Sequence, residues 1–173
     1  MENQPSLARI ALKWGLITGV ALVLYTTLLY VLDLVTNRGL SVIVYVILAG
    51  GLVFGMREYR TANGGYMTYG NGINIGALLS AVAGFLSSTF SVFYTQIIDP
   101  TFQSRVTEQI RAQMEEQGNL SDEQIDQALE IAQKFQSPGI TFIVGILGTI
   151  LVGVILSLVI AAIIRRNKSN PFE

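Results

Sequence analysis

Long apolar runs separated by short polar segments dominate the pattern of residues along the chain. The four runs cover residues 14–34, 39–56, 73–98 and 139–164, and no charged residue lies near the centre of any of them. A helix of about 20 residues crosses the roughly 30 Å hydrocarbon core of a bilayer. The pattern therefore predicts an all-α membrane protein with four transmembrane helices.

Residues 99–138, which separate the third run from the fourth, form a polar segment with a helical pattern of its own. Asp99-Pro100 and Ser137-Pro138 each place a capping residue before a proline, which is typical of a helix start. Between them lie two apolar stripes at helical spacing. The stripes are Phe102, Val106, Ile110 and Met114, then Ile125, Ala128, Leu129, Ala132 and Phe135. The segment is predicted to be an amphipathic helical hairpin.

The turn of this hairpin is marked by Gly118-Asn119. Ser121, followed by Gln124, is typical of a capping box that starts the second helix at Asp122. Acidic residues outnumber basic ones in the segment, eight to three, so the hairpin is acidic. A solvated helix face accounts for this charge. The alternative is a weak divalent-cation site in the carboxylates around the turn: Glu115, Glu116, Asp122, Glu123 and Asp126.

Composition agrees with a membrane protein and removes several functional classes. Of the 173 residues, 51% are hydrophobic and 13% are charged, and the mean hydropathy is +0.51. Cys and His are absent, so the chain lacks the commonest ligands of zinc and haem and the usual general base. A formal net charge of −1 provides no basic excess for nucleic acid. We expect no cofactor, no metal, no nucleic-acid partner and no enzymatic activity.

The basic residues predict the orientation, because Lys and Arg are enriched on the cytoplasmic side of membrane proteins. With both termini cytoplasmic, that side holds seven of the eleven basic residues: Arg9, Lys13, Arg57, Arg60, Arg165, Arg166 and Lys168. The opposite side holds Arg38, Arg105, Arg111 and Lys134. We therefore expect the hairpin to lie on the external side of the membrane.

Small residues recur at four-residue spacing in the last two apolar runs. They are Gly76, Ser80, Gly84 and Ser88 in the third run, and Gly145, Thr149, Gly153 and Ser157 in the fourth. Such lines let helix backbones approach closely, where van der Waals contacts and weak hydrogen bonds accumulate. We predict that the third and fourth helices pack together along these lines. Packing against a second copy, as a homo-oligomer, is the alternative.

Two groups of polar residues at the membrane boundaries are candidate sites. Arg57 and Arg60 lie in the segment MREYRTANGGYMTYGNG, residues 56–72, which joins the second and third runs. Positive-inside anchoring explains them, and binding of an anionic lipid headgroup is the sharper hypothesis. Asp33, Gln96 and Asp99 lie at the outer ends of the runs. Interfacial capping explains these three, and a shared polar cluster that binds a small ligand or a proton is the alternative.

The sequence fits two functional classes. The first is a non-enzymatic scaffold or accessory subunit whose hairpin contacts a protein partner. The second is a small oligomeric channel or transporter, whose pathway needs the glycine-rich third and fourth helices to face a lumen. Ionisable groups at mid-membrane usually mark such pathways, and the four runs carry none there. The pattern favours the scaffold.

The chain also resembles a known family, the bacterial membrane proteins grouped as domain of unknown function 4199 and found mostly in the Bacteroidetes. The resemblance lies in the four-run layout and in two segments, REYRTANGGYMTYGNGINIG at residues 57–76 and FYTQIIDPTF at residues 93–102. It implies a protein of the bacterial inner membrane with the hairpin in the periplasm, in contact with membrane lipid. It implies no catalytic residues.

Overall fold

The computed structural model describes residues 6–135 and 137–167, whose regular elements are helices. The helices are α1 (Leu7–Val31), α2 (Arg38–Ala62), α3 (Tyr69–Phe93), α4 (Phe102–Gln117), α5 (Asp122–Lys134) and α6 (Pro138–Ile164), and a π-helical turn (Tyr94–Ile98) follows α3. Four of them, α1, α2, α6 and α3 with its π turn, are long and apolar enough to cross a membrane. The predicted all-α class with four such helices is confirmed, and it is that of a multi-pass membrane protein.

Capping side chains, rather than the edges of the apolar runs, decide where α1, α2 and α3 begin. Ser6, Asn37 and Thr68 each accept a hydrogen bond from the backbone N–H three residues further on, at 3.2 to 3.3 Å. For this reason α1 begins before residue 14 and α3 begins before residue 73, where the apolar runs start. The helices extend beyond the apolar runs because their polar ends need no hydrocarbon around them.

Two other predicted boundaries are wrong: the end of the first helix and the start of the first helix of the hairpin. The first helix ends at Val31 instead of residue 34, because Asp33 takes the left-handed backbone conformation, with φ of 52°. No helix starts at Asp99-Pro100. The Asp99 carboxylate instead accepts hydrogen bonds from the backbone N–H and the hydroxyl of Thr101, which closes a turn, and α4 begins at Phe102.

The helical hairpin consists of α4 and α5. Its predicted turn is confirmed at Gly118, which has a left-handed φ of 65°, and the capping box at Ser121 starts α5 at Asp122. Ile125 is buried as predicted for the apolar stripe, whereas Phe135 is 63% exposed. An open polar groove of about 650 Å³ lies between the first half of α4 and the end of α5.

The four long helices form an antiparallel bundle around α3, which packs most extensively against α6 on one side and α1 on the other. We call one end the termini end, since α1 begins there and α6 ends there. The other end, where the hairpin joins, is the hairpin end. At the termini end, Met56, Ile75 and Ala161 belong to one buried cluster that joins α2, α3 and α6. The bundle is thus closed at the termini end by apolar side chains.

A seam of alternating glycines and hydroxyl residues joins α3 to α6. Gly76 lies against Ser157, Ser80 against Gly153, Gly84 against Thr149 and Ser88 against Gly145. Each step of four residues forward on α3 matches four residues back on α6, which is the register of two antiparallel helices. A Cβ atom added to Gly84 would come within 2.9 Å of the Thr149 Cβ. Each of the four contacts therefore pairs one glycine with one hydroxyl side chain, and the glycine leaves space for the hydroxyl.

Candidate functional site

Three separate segments meet at the hairpin end of the bundle: the loop after α1, the turn after the π-helical residues, and the first turns of α4. We call their contact the hairpin junction, which consists of Asp33, Asp99, Thr101, Arg105 and Gln109. Asp33 and Asp99 are candidate residues from the sequence. The sequence analysis names Arg105, which joins them, only among the basic residues on the external side. The junction determines how the hairpin is mounted on the bundle.

The guanidinium of Arg105 lies between the two carboxylates. Its Nη2 is 2.6 Å from Asp99 Oδ2 and 3.2 Å from Asp33 Oδ1. Its Nη1 donates to Asp99 Oδ1 at 3.3 Å and to Thr101 Oγ1 at 2.8 Å. Such a two-pronged contact between guanidinium and carboxylate fixes direction as well as distance. One side chain of α4 therefore orients the hairpin relative to both α1 and α3.

Charge at the junction is stable at neutral pH. Hydrogen bonds from Arg105 and Thr101 lower the pKa of Asp99 from 3.8 to about 2. The same contact with Asp99, and then that with Asp33, raises the pKa of Arg105 above its ordinary value. Both partners remain partly exposed to solvent, so the ion pairs mainly provide orientation rather than large stabilisation.

A second contact supports α4 against the loop between α1 and α2. The side chain of Gln109 accepts a hydrogen bond from the Thr36 hydroxyl at 2.9 Å and donates to the Asp33 backbone carbonyl at 3.5 Å. Gln109 is one helical turn beyond Arg105, so both side chains point from the same face of α4. The first half of α4 is thus held against this loop at two points.

Beneath the junction lies a cluster of three aromatic rings, contributed by α1, the π turn and α4. The ring centroid of Tyr30 is 4.9 Å from that of Tyr94 and 4.5 Å from that of Phe102. Tyr94 and Phe102 are buried. The π turn, closed by a 2.8 Å hydrogen bond from the Asp99 N–H to the Tyr94 carbonyl, places the Tyr94 ring on the inner side. The junction rests on a packed apolar base.

Gln96, the third candidate residue at the outer ends, lies apart from the junction. It is exposed and takes no part in the ion pairs of Arg105. A π turn has more residues per turn than an α-helix, so the side chains of residues 94–98 point in directions that α-helical spacing does not predict.

Arg105 was missed as a junction residue because its contacts to Asp33 and Asp99 depend on how the hairpin folds back. The only local signal is the four-residue spacing between Thr101 and Arg105.

Carboxylates near the hairpin turn are paired in part. Arg111 on α4 contacts Glu115 at 2.9 Å and Asp126 on α5 at 2.8 Å, which joins the two helices of the hairpin. Glu116, Asp122 and Glu123 are exposed to solvent. Across residues 6–135 and 137–167, no group of three or more acidic side chains is arranged to hold a metal ion. In this region the carboxylates form an acidic surface.

Arg57 and Arg60, the candidate headgroup residues, have different surroundings at the termini end. Arg60 Nη1 donates to the Ile164 carbonyl at 3.0 Å, so it caps the last turn of α6. Arg57 is exposed. Nearby, Met67 and Arg166 exchange two backbone hydrogen bonds of 3.0 and 2.9 Å. Arg60 is engaged within the chain, and Arg57 is the more accessible of the two to a lipid headgroup.

The eight small residues of α3 and α6 lie together in the seam described above. These two lines face each other within one chain. A further contact that the sequence analysis missed joins α1 to α2. Glu58 accepts hydrogen bonds from Lys13 Nζ at 2.7 Å and from Trp14 Nε1 at 2.8 Å. Long-range pairs of this kind leave no spacing signal in a sequence.

Comparison with known proteins addresses the family and not the activity. A family model described as a protein of unknown function (DUF4199) matches residues 13–166, which is most of the chain. The chain belongs to this family. The match covers α2 to α6 and all but the first six residues of α1. Comparison with curated proteins finds no match, and neither does comparison with solved structures.

Proposed function

We propose that this DUF4199 protein is a non-enzymatic scaffold or accessory subunit of the bacterial inner membrane, whose hairpin contacts a protein partner in the periplasm. The observation that carries the proposal is the mounting of the hairpin by Arg105. A mobile acidic loop would need no such contact to both Asp33 and Asp99. A fixed hairpin presents its surface in one orientation, which lowers the entropy cost of binding.

The surface that the hairpin presents combines apolar and acidic side chains. Leu120, Ile131 and Phe135 are 43%, 57% and 63% exposed. Ile131 lies in the last turn of α5, Phe135 directly follows the helix, and the exposed acidic residue Glu130 is next to Ile131 in the chain. This combination fits a partner with an apolar patch and a basic rim, because interfaces commonly have an apolar core within a polar rim.

The distribution of basic residues supports the proposed orientation. Among the described residues, the termini end carries Arg9, Lys13, Arg57, Arg60, Arg165 and Arg166, and the hairpin end carries Arg38, Arg105, Arg111 and Lys134. Lys168, counted in the sequence analysis, lies outside the described residues. An excess of Lys and Arg in short segments beside the membrane favours the cytoplasmic side. Both termini are accordingly proposed to be cytoplasmic.

The packing of α3 against α6 counts against the alternative of a small oligomeric channel or transporter. In that alternative the glycine-rich faces of the two helices line a pathway. These faces instead contact each other, with Ser80 and Ser157 buried between them. A homo-oligomer would have to form through other surfaces. The scaffold is therefore the function that the geometry supports best.

A pair of cysteine variants tests the orientation, since the natural chain contains no cysteine. Asn119→Cys places a thiol at the hairpin turn and Ala62→Cys places one at the last residue of α2, and both positions are exposed. In intact spheroplasts, a membrane-impermeant maleimide should label Asn119→Cys alone. Labelling of Ala62→Cys alone would reverse the topology and place the hairpin in the cytoplasm.

Site-specific photocrosslinking tests the partner. A photoreactive amino acid at Ile131 should crosslink one protein, and the matched control at Glu123, on the acidic side of α5, should crosslink it much less. Ile131→Glu should abolish co-purification of that protein, whereas Glu123→Gln should preserve it. Crosslinks between copies of this chain alone would defeat the scaffold proposal and make the oligomeric channel the function to test.

A further inference from the structure

A crevice of about 390 Å³ lies in the hairpin-end half of the bundle. All four long helices contribute to its lining. Leu22 and Ser88 belong to α1 and α3, and Tyr45, Val144 and Gly148 belong to α2 and α6. The crevice lies within the part of the protein that spans the membrane, so the surrounding medium is the hydrocarbon of the bilayer.

The crevice opens sideways between α2 and α6. Its floor residues on α1 and α3 are buried, with Leu22 at 3% and Ser88 at 7% exposure. Its walls are open to the outside, because Tyr45 on α2 is 50% exposed and Val144 on α6 is 59% exposed. Toward the termini end the opening closes, where Leu156 and Ile160 of α6 pack near α2.

Polarity changes along the crevice in the same direction as it changes across one leaflet of a bilayer. The part nearest the middle of the bundle is formed by Leu22, Leu48, Val152 and Thr149, whose hydroxyl already donates to the Gly145 carbonyl of its own helix. The part nearest the hairpin end contains Thr141 and the hydroxyl pair of Tyr30 and Ser91, whose oxygens are 2.9 Å apart. A ligand that follows this gradient has a hydrocarbon tail at mid-membrane and oxygen atoms near the interface.

We propose that this crevice is a binding site for one acyl chain of a phospholipid from the hairpin-side leaflet. The chain enters between α2 and α6 and lies against two buried side chains, Leu22 of α1 and Leu48 of α2. The ester oxygens of the lipid lie at the level of the Thr141 hydroxyl and of the Tyr30–Ser91 pair, which keeps one hydroxyl hydrogen to donate to them. The acyl chain fills a gap that would otherwise leave apolar surfaces without contacts.

The size of the crevice distinguishes an acyl chain from a protein helix. A helix with side chains is about 10 to 12 Å across, so it needs far more space than the crevice provides. The volume instead falls at the lower end of the range of small-molecule sites, which is about 300 to 1,000 Å³. Bilayer lipid is also the molecule present at highest concentration at the opening.

Gly148 provides a variant that fills the crevice without disturbing the fold. A Cβ atom at this position meets nothing within 4 Å, and the residue lines the crevice. Gly50, at the middle of α2, also has open space around its Cβ but does not line the crevice. Gly148→Phe and Gly50→Phe are therefore a matched pair, and Gly148→Leu is a smaller replacement for the first.

The experiment uses the full chain in nanodiscs that contain phosphatidylethanolamine with a diazirine in one acyl chain. Photolabelling of Leu48, a buried residue of the crevice lining, is compared with that of Leu24, which is 67% exposed on the outside of α1. Gly148→Phe should reduce labelling at Leu48 roughly tenfold, because the ring occupies the space of the chain. Labelling at Leu24 should not change, and Gly50→Phe should leave both positions unchanged.

Two results would overturn the proposal. One is labelling of Leu48 that is undetectable in the natural chain while Leu24 is labelled, which would mean that the crevice excludes lipid. The other is labelling of Leu48 that persists in Gly148→Phe and in Gly148→Leu. Thermal unfolding of each variant in detergent shows whether it is folded before labelling. If Gly148→Phe is unstable, Gly148→Leu, which adds a smaller side chain, takes its place in the comparison of labelling at Leu48 and Leu24.

Discussion

The side chain of Ser80 on α3 lies directly against Gly153 on α6, and its hydroxyl makes no conventional hydrogen bond within the described part of the chain. One step along the seam the roles are reversed, and Ser157 lies against Gly76. Glycine Cα–H groups are weak hydrogen-bond donors, and Gly153 is the residue that lies against this buried oxygen. The seam thus combines close backbone approach with weak polar contacts.

Gly153→Leu should destabilise the bundle, because the larger side chain occupies the space of Ser80. Overpacking of a close contact costs about 1–3 kcal/mol, and backbone separation adds to it. The same change at Gly148, on the same helix with open space around it, should cost less than half as much. Unfolding by sodium dodecyl sulfate, followed by circular dichroism, measures the difference. Equal stability of the two variants would refute the seam as the main contact between α3 and α6.

Arg105→Gln should release the hairpin from the bundle, because it removes the positive charge between Asp33 and Asp99. Amide hydrogen exchange should become faster over residues 102–110, which form the first half of α4. Arg111→Gln is the matched control, since Arg111 joins α4 to α5. Faster exchange in that variant is expected around the hairpin turn instead. If Arg105→Gln exchanges as the natural chain does, the aromatic cluster alone holds the hairpin.

The mounting of the hairpin should depend on pH only in acid. The pKa of Asp99 is lowered from 3.8 to about 2, so the favourable contact is fully present above pH 3.8 and is lost as the pH falls to about 2. Spin labels on cysteines at positions 31 and 112, both exposed, report the distance between α1 and α4. The distance distribution should be constant from pH 7 to pH 3.8 and broaden below that.

Asp99→Asn is the control for this titration. It cannot form the ion pair with Arg105, so its distance distribution should already be broad at neutral pH. A natural chain that broadens near pH 6 would contradict the assignment to Asp99, because a lowered carboxyl pKa gives no transition there.

The two arginines near the termini end should differ when each is changed to alanine. Arg60→Ala removes the donor to the Ile164 carbonyl, so hydrogen exchange should become faster in the last turn of α6. Arg57→Ala should leave that exchange unchanged and lower the retention of phosphatidylglycerol, an anionic lipid, measured by native mass spectrometry. Equal lipid retention in Arg57→Ala and the natural chain would mean that Arg57 contributes to membrane orientation and does not bind the lipid headgroup.

Elements whose causes are local can be predicted from the sequence. Length and hydropathy alone predict the four long helices, because crossing a bilayer needs about 20 apolar residues. The hairpin turn at Gly118 and the start of α5 at Asp122 also follow from residues within one turn. The four-residue lines of small residues identified the faces of α3 and α6 that pack together, since helical periodicity places them on one side.

Contacts between distant segments become visible only in the three-dimensional structure. Arg105 meets Asp33 and Asp99 because α4 turns back over the α1–α2 loop, and neither spacing nor composition encodes that direction. The π turn rotated Gln96 away from the junction, which regular helical spacing does not predict. The crevice exists because α2 and α6 separate toward the hairpin end, a consequence of how four helices fit around α3. Such relations depend on packing in three dimensions, where a small change of angle moves side chains by several ångströms.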